Sequence, residues 1–523
     1  MAKITNSKKG KSIEESLWES ANKLRGTVEP SEYKHVVLGL IFLKFASDKF
    51  EERRRELKAE GKEKYLEMVE FYTMKNVFYL PEVSRWSYLI ENARQNDIAL
   101  KIDTALFTVE KNNPALKGAL PDNYYSRLNL DVPKLASLLS TIHQIDTLKD
   151  KEHDIIGRIY EYFLSKFAIA EGKGKGEFYT PKNIVNLIAE MIEPYKGIIY
   201  DPCCGSGGMF VQSMKFIESH HGNKKEISVY GQENLTATYK LAKMNLAIRG
   251  ISANLGDMAA DTFSKDQHKD LKADFIMANP PFNQKDWRAA NELENDARWA
   301  GYTIPPVSNA NYGWILHMAS KLSSNGVAGF LLANGALGDP DTLSIRRQFI
   351  KNNLVEAIVV LPRDMFYSTD ISVTLWILNK NKKAQTIEQN GKTIKYRDRK
   401  DEILFMDLRR HGSEYEKKYI QLTDEDISSV VSNYHNWQRD GFEETYKNVP
   451  EFCYSAHIDE IEQNNFSLIP SKYIEFVDRD SNIDYDKEMK RIQKNFNTIL
   501  ADEVSSQKEL LQAFKNLGYE IEL

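Results

Sequence analysis

A short apolar stretch that ends in two adjacent prolines constrains this chain more than any other part of the sequence. Residues 273–278 are mostly apolar and have the length of a buried strand, and Asn279-Pro280-Pro281-Phe282 follows at once. Because proline has no backbone N–H, the two prolines force the chain out of a sheet at this point. We therefore expect Asn279 and Phe282 at the carboxyl end of a strand, the edge at which ligands bind in open α/β sheets.

The residues of this motif suit a planar amine. The Asn279 side chain and the Pro280 carbonyl both accept hydrogen bonds, and Phe282 is able to stack on the flat ring that carries the amine. The lone pair of a nucleobase amine is delocalised into the ring, and two acceptors can draw it back towards a tetrahedral nitrogen. The same residues also fit a plain strand, a turn and a core phenylalanine, so the motif alone leaves both interpretations open.

Predicted strands and helices alternate around this motif, which is typical of a mostly parallel sheet with helices on both faces. The predicted strands are residues 198–200, 227–231, 253–255, 273–278, 327–333, 355–361, 373–378 and 403–406. Residues 13–150 have the apolar spacing of helices, and the chain becomes polar and helical from residue 411. We therefore predict a helical domain at 1–170, an α/β domain at 171–410 and a C-terminal helical region at 411–523.

The composition limits the partners and the compartment. A formal net charge of −5 argues against binding nucleic acid by overall electrostatics alone. The apolar run at residues 36–43 is shorter than the about 20 residues that span a bilayer, and the first residues have no signal-peptide core. The cysteines at 203, 204 and 453 form neither a disulfide framework nor a spaced zinc quartet. We expect a cytoplasmic protein with no metal site and no membrane segment.

Polar and glycine residues follow the other predicted strands. Asp201 ends the first strand and opens a turn with Gly205, Ser206, Gly207 and Gly208, which allows backbone to approach a ligand closely. Glu233 ends the second strand, where a carboxylate can bridge two ribose hydroxyls, and Asp257 follows the third, within reach of an adenine amino group. The turn lacks the dinucleotide pattern, and no arginine cluster is available for a pyrophosphate. These residues predict a nucleoside pocket without phosphates, which fits S-adenosylmethionine.

Together these motifs resemble the modification (M) subunits of type I restriction-modification systems, a family of amino-group DNA methyltransferases that act on N6 of adenine. Phe178-Tyr179-Thr180-Pro181 is similar to the cofactor-side motif of the family and precedes the 201–208 loop. Glu233 is similar to the ribose-binding acid, and residues 279–282 are similar to the catalytic motif, whose usual form is Asn/Asp-Pro-Pro-Tyr/Phe. Cys203 and Cys204 stand where smaller residues are commoner, and the motif at Asp257 is loose.

The resemblance covers most of the chain and implies its fold, reaction and partners. The implied fold is a Rossmann-like S-adenosylmethionine-dependent methyltransferase sheet with an N-terminal helical domain and a C-terminal helical extension. The implied reaction is methyl transfer to N6 of a flipped adenine, at a DNA site chosen by a separate specificity (S) subunit, which protects host DNA from restriction. The implied partners are double-stranded DNA, one S subunit for two M subunits, and a restriction (R) subunit in the full complex. The N-terminal domain is expected to contact DNA or a partner, and the C-terminal region is expected to dock on the S subunit.

The candidate site therefore has a catalytic set and a cofactor-binding set. The catalytic set is Asn279, Pro280, Pro281 and Phe282. The cofactor-binding set is Glu177, Phe178, Tyr179, Thr180, Pro181, Lys182, Asp201, Gly205, Ser206, Gly207, Gly208, Glu233 and Asp257. Thr180 and Pro181 also fit plain helix initiation, as the cap and the first helical position.

Several alternatives stay open. Asn-Pro-Pro motifs also serve methylation of N4 of cytosine and of glutamine side chains in proteins, and a non-catalytic assembly module would keep the same fold. Cys204 is a possible nucleophile, as in C5-cytosine methylation, but the Asn279 motif favours attack by an amine. The last predicted helix has near-heptad spacing at Met489, Ile492 and Phe496. It either packs on its own domain or docks onto a partner chain.

Overall fold

The computed structural model describes residues 13–22, 30–145, 162–163, 166, 180–366, 371–389, 391–415, 419–477 and 485–518. Contacts divide the chain into two compact units, Met1–Ile474 and Glu475–Leu523. None of the described helices combines the length and the apolar character that a membrane-spanning segment needs.

The first unit begins with helices that enclose their own apolar core, as the apolar spacing predicts. They are α1 (Ile13–Asn22), α2 (Pro30–Ala59), α3 (Glu70–Thr73), α4 (Trp86–Glu91), α5 (Ile98–Asn112), α6 (Tyr124–Arg127) and α7 (Val132–His143). The apolar run predicted to be too short for a membrane lies in α2, where Val36, Leu40 and Leu43 are fully buried. It therefore lies at the centre of the N-terminal helical core.

The α/β part of the chain supplies a second set of helices. They are α8 (Lys182–Ile192), α9 (Gly208–Ser219), α10 (Thr236–Ile248), α11 (Asn311–Lys321), α12 (Leu343–Lys351), α13 (Asp424–Gln438) and α14 (Ile458–Gln463). Helix α10 also belongs to the N-terminal core, because Leu241, Met244 and Ile248 pack there. Lys240 Nζ donates to the Leu120 carbonyl at 3.1 Å. The N-terminal domain is thus packed directly onto the helix that follows Glu233.

The strands form one large sheet and two hairpins. They are β1 (Gly197–Asp201), β2 (Ile227–Gly231), β3 (Ala253–Asn254), β4 (Ala273–Ala278), β5 (Leu322–Ala333), β6 (Val355–Val360), β7 (Val373–Asn379), β8 (Gln385–Gln389), β9 (Lys392–Tyr396), β10 (Glu402–Asp407), β11 (Ser413–Tyr415), β12 (Tyr419–Gln421) and β13 (Cys453–His457). The large sheet has the order β13-β10-β6-β7-β5-β4-β1-β2-β3. Within it, β7 and β13 run antiparallel to their neighbours, and the other pairs are parallel. The mostly parallel sheet predicted from the alternation is confirmed.

Two apolar layers cover the two faces of this sheet. Helices α8, α9, α10 and α13 pack on one face, and α11, α12 and α14 pack on the other. Central strands such as β6 and β7 are buried along their whole length. This burial explains why they appear in the sequence as continuous apolar runs.

The structure corrects the predicted division of the chain after residue 410. Strand β13 pairs with β10, so residues 453–457 complete the sheet instead of belonging to a helical extension. The contact division falls after Ile474. The hairpins β8–β9 and β11–β12 were also absent from the sequence prediction, since short half-exposed strands have little apolar pattern. The predicted boundary at residue 170 lies outside the described residues.

The second unit contains the long helix α15 (Tyr485–Asn516), which confirms a helical C-terminal part. None of its described side chains is buried. Its exposed apolar side chains include Tyr485, Met489, Ile492, Phe496, Ile499, Leu500, Val504 and Leu510.

Candidate functional site

The predicted site residues gather at one edge of the sheet because of the order of its strands. The chain passes from β1 outward through β2 and β3, and then returns to the other side of β1 with β4. Asp201 ends β1, Glu233 follows β2 and Asn279 follows β4, all at the carboxyl edge. Such a change of direction between neighbouring strands opens a crevice at this edge. The sheet thus brings the two predicted sets together between β1 and β4.

The loop between β1 and α9 has the backbone that a ligand cradle needs. Gly205 and Gly207 adopt positive φ angles of 53° and 81°, which few residues other than glycine tolerate. A side chain at Gly205 or Gly208 would meet nothing within 4 Å, so open space borders the loop there. Gly207 caps α9 without a side-chain hydrogen bond, which leaves the first amides of the helix for a ligand.

Glu233 joins this loop to the end of β2. Its carboxylate accepts from the Gly205 amide at 3.0 Å and from the Leu235 amide at 2.8 Å. The Glu233 side chain is mostly buried, and Asp257 is exposed beyond β3. Leu235 and Met258 are large apolar side chains that remain about half exposed beside these acids, at 55% and 51%. The arrangement combines two carboxylates with exposed apolar surface, as a nucleoside pocket requires.

Asp201 is a strongly perturbed acid of the site. It is 1% exposed, and its Oδ1 accepts from the Cys203 amide at 3.0 Å. Burial raises the pKa of Asp201 to about 7, and the negative charge of Glu233 acts in the same direction. Burial also raises the pKa values of Cys203 and Cys204, which keeps both thiols protonated. A protonated thiol is a weak nucleophile, so the structure disfavours the Cys204 alternative.

Asn279 presents an unsatisfied acceptor at the end of β4. Its Nδ2 donates to Thr180 Oγ1 at 2.9 Å, and its Oδ1 is buried without a hydrogen-bond partner among the residues that the structure describes. Pro280 is buried behind it, and Phe282 is partly exposed, with its ring edge-on to Phe366 at 5.8 Å between centroids. A buried amide oxygen without a hydrogen-bond partner lowers the stability of the folded state unless a ligand donates to it.

Thr180 has a different role from the predicted helix cap. Helix α8 begins at Lys182, its cap is Pro181, and no side chain caps it. The Thr180 hydroxyl lies against Asn279 instead. The structure therefore brings the segment before α8 to the Asn279 motif across 99 residues of sequence. The predicted cofactor residues Glu177, Phe178 and Tyr179 lie outside the described residues, and Lys182 is exposed.

The sequence analysis missed Arg298 and Thr262, which connect the loops after β1, β3 and β4. Arg298 donates to the Thr262 carbonyl at 2.9 Å and to the Phe263 carbonyl at 2.7 Å, and it contacts His317 Nδ1 at 3.3 Å. Thr262 in turn donates to the Pro202 carbonyl in the 201–208 loop. Burial lowers the pKa of His317 to about 3, so the ring is neutral and its Nδ1 can accept from Arg298. No local signal marks these long-range contacts in the sequence.

Comparisons with protein families and sequences show the family of this chain. Residues 151–482 match the family described as N-6 DNA Methylase, and residues 13–144 match the HsdM N-terminal domain. The chain is 39% identical to the type I restriction enzyme HindI methylase subunit of Haemophilus influenzae, over 84% of this chain and 100% of that protein. It is 35% identical to the MjaIX methylase subunit of Methanocaldococcus jannaschii, over 97% of this chain and 92% of that protein.

Solved structures show the same fold. The crystal structure of a type I restriction-modification methyltransferase subunit from Streptococcus thermophilus superposes with a TM-score of 0.71 and 21% identity, over 88% of this chain and 99% of that chain. A modification subunit from Vibrio vulnificus superposes with a TM-score of 0.59 and 20% identity, over 86% of this chain and 92% of that chain. The sheet and its helical domain are thus an architecture already seen in crystals.

Proposed function

The chain belongs to the N-6 DNA methylase family and, within it, to the methylase subunits of type I restriction enzymes, and from this membership we propose that it methylates N6 of an adenine in DNA. The methyl donor in the proposal is S-adenosylmethionine, and the adenine is flipped out of the duplex into the crevice beside β4. The observation that carries the proposal is Asn279 Oδ1, a buried acceptor without a partner in the described part of the chain.

Asn279 Oδ1 is suited to an amino group of a substrate. Leaving such an acceptor unpaired costs about 1–3 kcal/mol, and a bound amine relieves that cost by donating an N–H. Because the other end of the amide donates to Thr180, Oδ1 is the end left for the substrate. The Pro280 carbonyl is a second acceptor in the same motif. Two acceptors on one amine favour a nitrogen whose lone pair is available for bond formation.

Phe282 supplies the surface that holds the base. Its ring is partly exposed at the site, and base–aromatic stacking contributes about 1–3 kcal/mol per base. Stacking offsets part of the cost of taking the adenine out of the duplex, which is a few kcal/mol. Catalysis then comes from positioning the amine and from electrostatic contacts, without a strong general base.

We assign the methyl donor to the pocket around the 201–208 loop. The open space beside Gly205 and Gly208 and the free amides of α9 fit a ligand that approaches the backbone closely. Glu233 is the candidate for the ribose hydroxyls and Asp257 for the adenine, and residues 177–182 join the set through the family resemblance. When bound, S-adenosylmethionine supplies an electrophilic methyl group on a sulfonium sulfur.

The other two regions are proposed to serve assembly. The N-terminal helical domain, packed on α10, is the candidate for contact with double-stranded DNA or a partner. Helix α15, with its stripe of exposed apolar side chains, is the candidate for docking on an S subunit, with two M subunits for each S subunit. An R subunit completes the proposed complex. In this division of labour the S subunit selects the DNA site, and methylation there protects host DNA from restriction.

Methyl transfer from labelled S-adenosylmethionine to plasmid DNA tests the proposal. The wild-type chain is assayed with and without its S subunit, and the DNA is then digested to nucleosides and analysed by mass spectrometry. We expect N6-methyladenine in the presence of the S subunit. N4-methylcytosine would move the substrate to the other nucleobase amine, and label found only in protein would contradict the DNA proposal.

A further inference from the structure

The residue after the proposed stacking ring has an unusual backbone. Asn283 directly follows Phe282 and has a φ of 52°, in the left-handed region that side chains other than glycine avoid. Asparagine tolerates this region better than most residues, but the conformation still has to be held by its surroundings. The conformation at residue 283 sets the direction in which the chain leaves Phe282. Whatever holds Asn283 therefore also holds the ring.

Two further asparagines hold Asn283. Asn311 Oδ1 accepts from the Asn283 amide at 3.1 Å, and Asn311 Nδ2 donates to Asn283 Oδ1 at 2.9 Å. Asn309 Nδ2 donates to the same oxygen at 3.3 Å, and Asn309 Oδ1 accepts from the Asn311 amide at 2.9 Å. We call Asn283, Asn309 and Asn311 the asparagine clamp.

Hydrogen-bond chemistry fixes the orientation of the central amide of the clamp. A backbone N–H is only a donor, so the atom of Asn311 that faces the Asn283 amide has to be its oxygen. The nitrogen of the same side chain then faces Asn283 Oδ1, which is only an acceptor. Because the Asn283 amide belongs to the peptide group that joins it to Phe282, this bond fixes the plane of that peptide group.

The clamp is anchored in the core of the protein. Asn311 is 3% exposed and is the first residue of α11, a helix whose other residues except Ser320 are also buried. Beside the clamp, the Ala310 amide donates to the Gln284 carbonyl at 2.9 Å, and the Asp286 amide donates to the Val307 carbonyl at 3.1 Å. The loop after the catalytic motif is thus hydrogen-bonded to the segment that leads into α11, a buried helix.

We propose that Asn311, acting through Asn283 and Asn309, is a positioning residue that fixes Phe282 for the flipped base. This inference rests on the proposed function, since Phe282 is the base-stacking ring only in that function. The clamp touches neither base nor methyl donor in this proposal. Its effect is to have the ring in place before the base arrives, so that binding does not have to order the loop.

The test uses the methylase with its S subunit, a DNA duplex with the target site, and the substitution Asn311→Asp. Aspartate keeps the acceptor for the Asn283 amide but replaces the donor with an oxygen that repels Asn283 Oδ1. We expect kcat to fall between about tenfold and about a hundredfold, as for a misplaced catalytic group. The Kd for S-adenosylmethionine should stay within about twofold because the donor pocket does not change, whereas the KM for DNA should rise because binding of the flipped base then has to order the loop.

A second readout reports the flipped base itself. With 2-aminopurine in place of the target adenine, the wild-type complex is expected to change the fluorescence of the flipped base when the ring stacks on it. Asn311→Asp should shift this signal towards that of Phe282→Ala. Asn309→Ala, at a partly exposed position, keeps the Asn311 pair and should lower kcat by about threefold. This milder variant keeps the inference testable if Asn311→Asp does not fold.

Asn113 provides the matched control. It is 2% exposed, its Oδ1 accepts from the Tyr79 amide at 2.9 Å, and its Nδ2 donates to the Tyr79 carbonyl at 2.9 Å. Asn113 Nδ2 also donates to the Val109 carbonyl at 2.7 Å, so a buried asparagine with a similar two-sided bond to one residue is present in the helical domain. Asn113→Asp should lower the thermal midpoint and leave kcat and the 2-aminopurine signal of the folded complex unchanged.

The outcomes separate this inference from the proposed function. If the wild-type chain forms no N6-methyladenine with its S subunit, the proposed function is wrong, and this inference is wrong with it. If the wild type methylates DNA, and if Asn311→Asp and Asn309→Ala leave kcat and the fluorescence unchanged, the positioning role alone is overturned. An equal loss of kcat in Asn113→Asp also overturns it, because the effect would then be one of general stability.

Discussion

Both edges of the central sheet bury polar groups, but the buried acid has a cation as its partner at the amino edge and a second acid as its neighbour at the carboxyl edge. At the amino edge, Glu356 Oε1 accepts from Arg399 at 3.2 Å, from Tyr434 at 3.3 Å and from Gln438 at 2.9 Å. Lys382 lies nearby, and its ammonium group donates hydrogen bonds to the carbonyls of Val355 and Glu402. Arg399 thus compensates the charge of Glu356, although Glu356 Oε2 is also buried without a hydrogen-bond partner among the described residues.

At the carboxyl edge, the buried groups are Asn279 and Asp201. Asn279 Oδ1 has no partner among the described residues, and Asp201 is buried beside a second acid, so its pKa is raised to about 7. Buried polar groups are costly in either place. The amino edge therefore pairs its buried acid within the chain, and we propose that the carboxyl edge keeps Asn279 and Asp201 for ligands. Substitutions at the two edges should therefore affect different measurements.

The largest expected effect is on stability, from Arg399→Met at the amino edge. Removing the guanidinium leaves the Glu356 carboxylate buried without its cation, which costs about 3–5 kcal/mol of unfolding free energy. Urea unfolding measures this loss, and the kcat of the protein that remains folded should not change. The double variant Glu356→Gln/Arg399→Met should recover part of the loss. A selective fall in kcat would show that the two edges are not separate in function.

Asn279→Ala should have the next largest effect, and on activity instead of stability. Loss of one positioned hydrogen-bonding group lowers kcat by about a hundredfold to a thousandfold. The Kd for S-adenosylmethionine should change little, and the thermal midpoint should fall by much less than in Arg399→Met. The control is Asn279→Asp, which keeps an acceptor and should retain more activity than alanine. Loss of cofactor binding in both variants would contradict the catalytic assignment.

Asp201 should make the binding of a cationic ligand depend on pH. S-adenosylmethionine carries positive charge, so it should bind more tightly when Asp201 is ionised, and its affinity should fall by up to about tenfold per pH unit below pH 7. Uncharged adenosine should show a weaker dependence when both Kd values are measured by calorimetry. In Asp201→Asn the dependence should disappear; if it persists unchanged, another group is responsible.

The same pKa shift has a consequence for stability with a definite sign. The raised pKa of Asp201 favours the protonated carboxyl in the folded state, so its contribution to stability is complete below about pH 4 and is lost as pH rises to about 7. Asp201→Asn should therefore stabilise the ligand-free protein most at pH 8. Thermal melts of both proteins at pH 5 and pH 8 measure the difference, and a wild type favoured at pH 8 would reverse the assignment.

The smallest expected effect is that of Thr180, which supports one end of the Asn279 amide. Thr180→Val keeps the shape and removes the hydroxyl, and a neutral hydrogen bond contributes about 0.5–1.5 kcal/mol, so kcat should fall by a few fold. Thr180→Ser should behave as wild type because it keeps the oxygen. Equal rates for valine and serine would mean that the amide needs no support from Thr180.

Local chemistry in the sequence was sufficient for much of the fold and for the sheet edge at which several predicted site residues lie. The apolar strand before Asn279-Pro280, the glycines after Asp201 and the spacing of apolar residues in α2 each act over a few residues. The strand that ends at two prolines is predictable because proline cannot donate to a sheet at any position in any fold. The alternation of strands and helices then implied the sheet and the edge that carries the site.

Only the tertiary structure decided the features that depend on distant pairing. Strand β13 is a strand because it pairs with β10, the Thr180 hydroxyl meets Asn279 across 99 residues, and Asn311 holds Asn283 across 28. The antiparallel direction of β7 and the buried partners of Glu356 are of the same kind. The periodicity of apolar residues indicates which face of an element is buried, and turn residues indicate where an element ends. Neither records which distant donor will satisfy a given acceptor, because that choice is made when the elements pack.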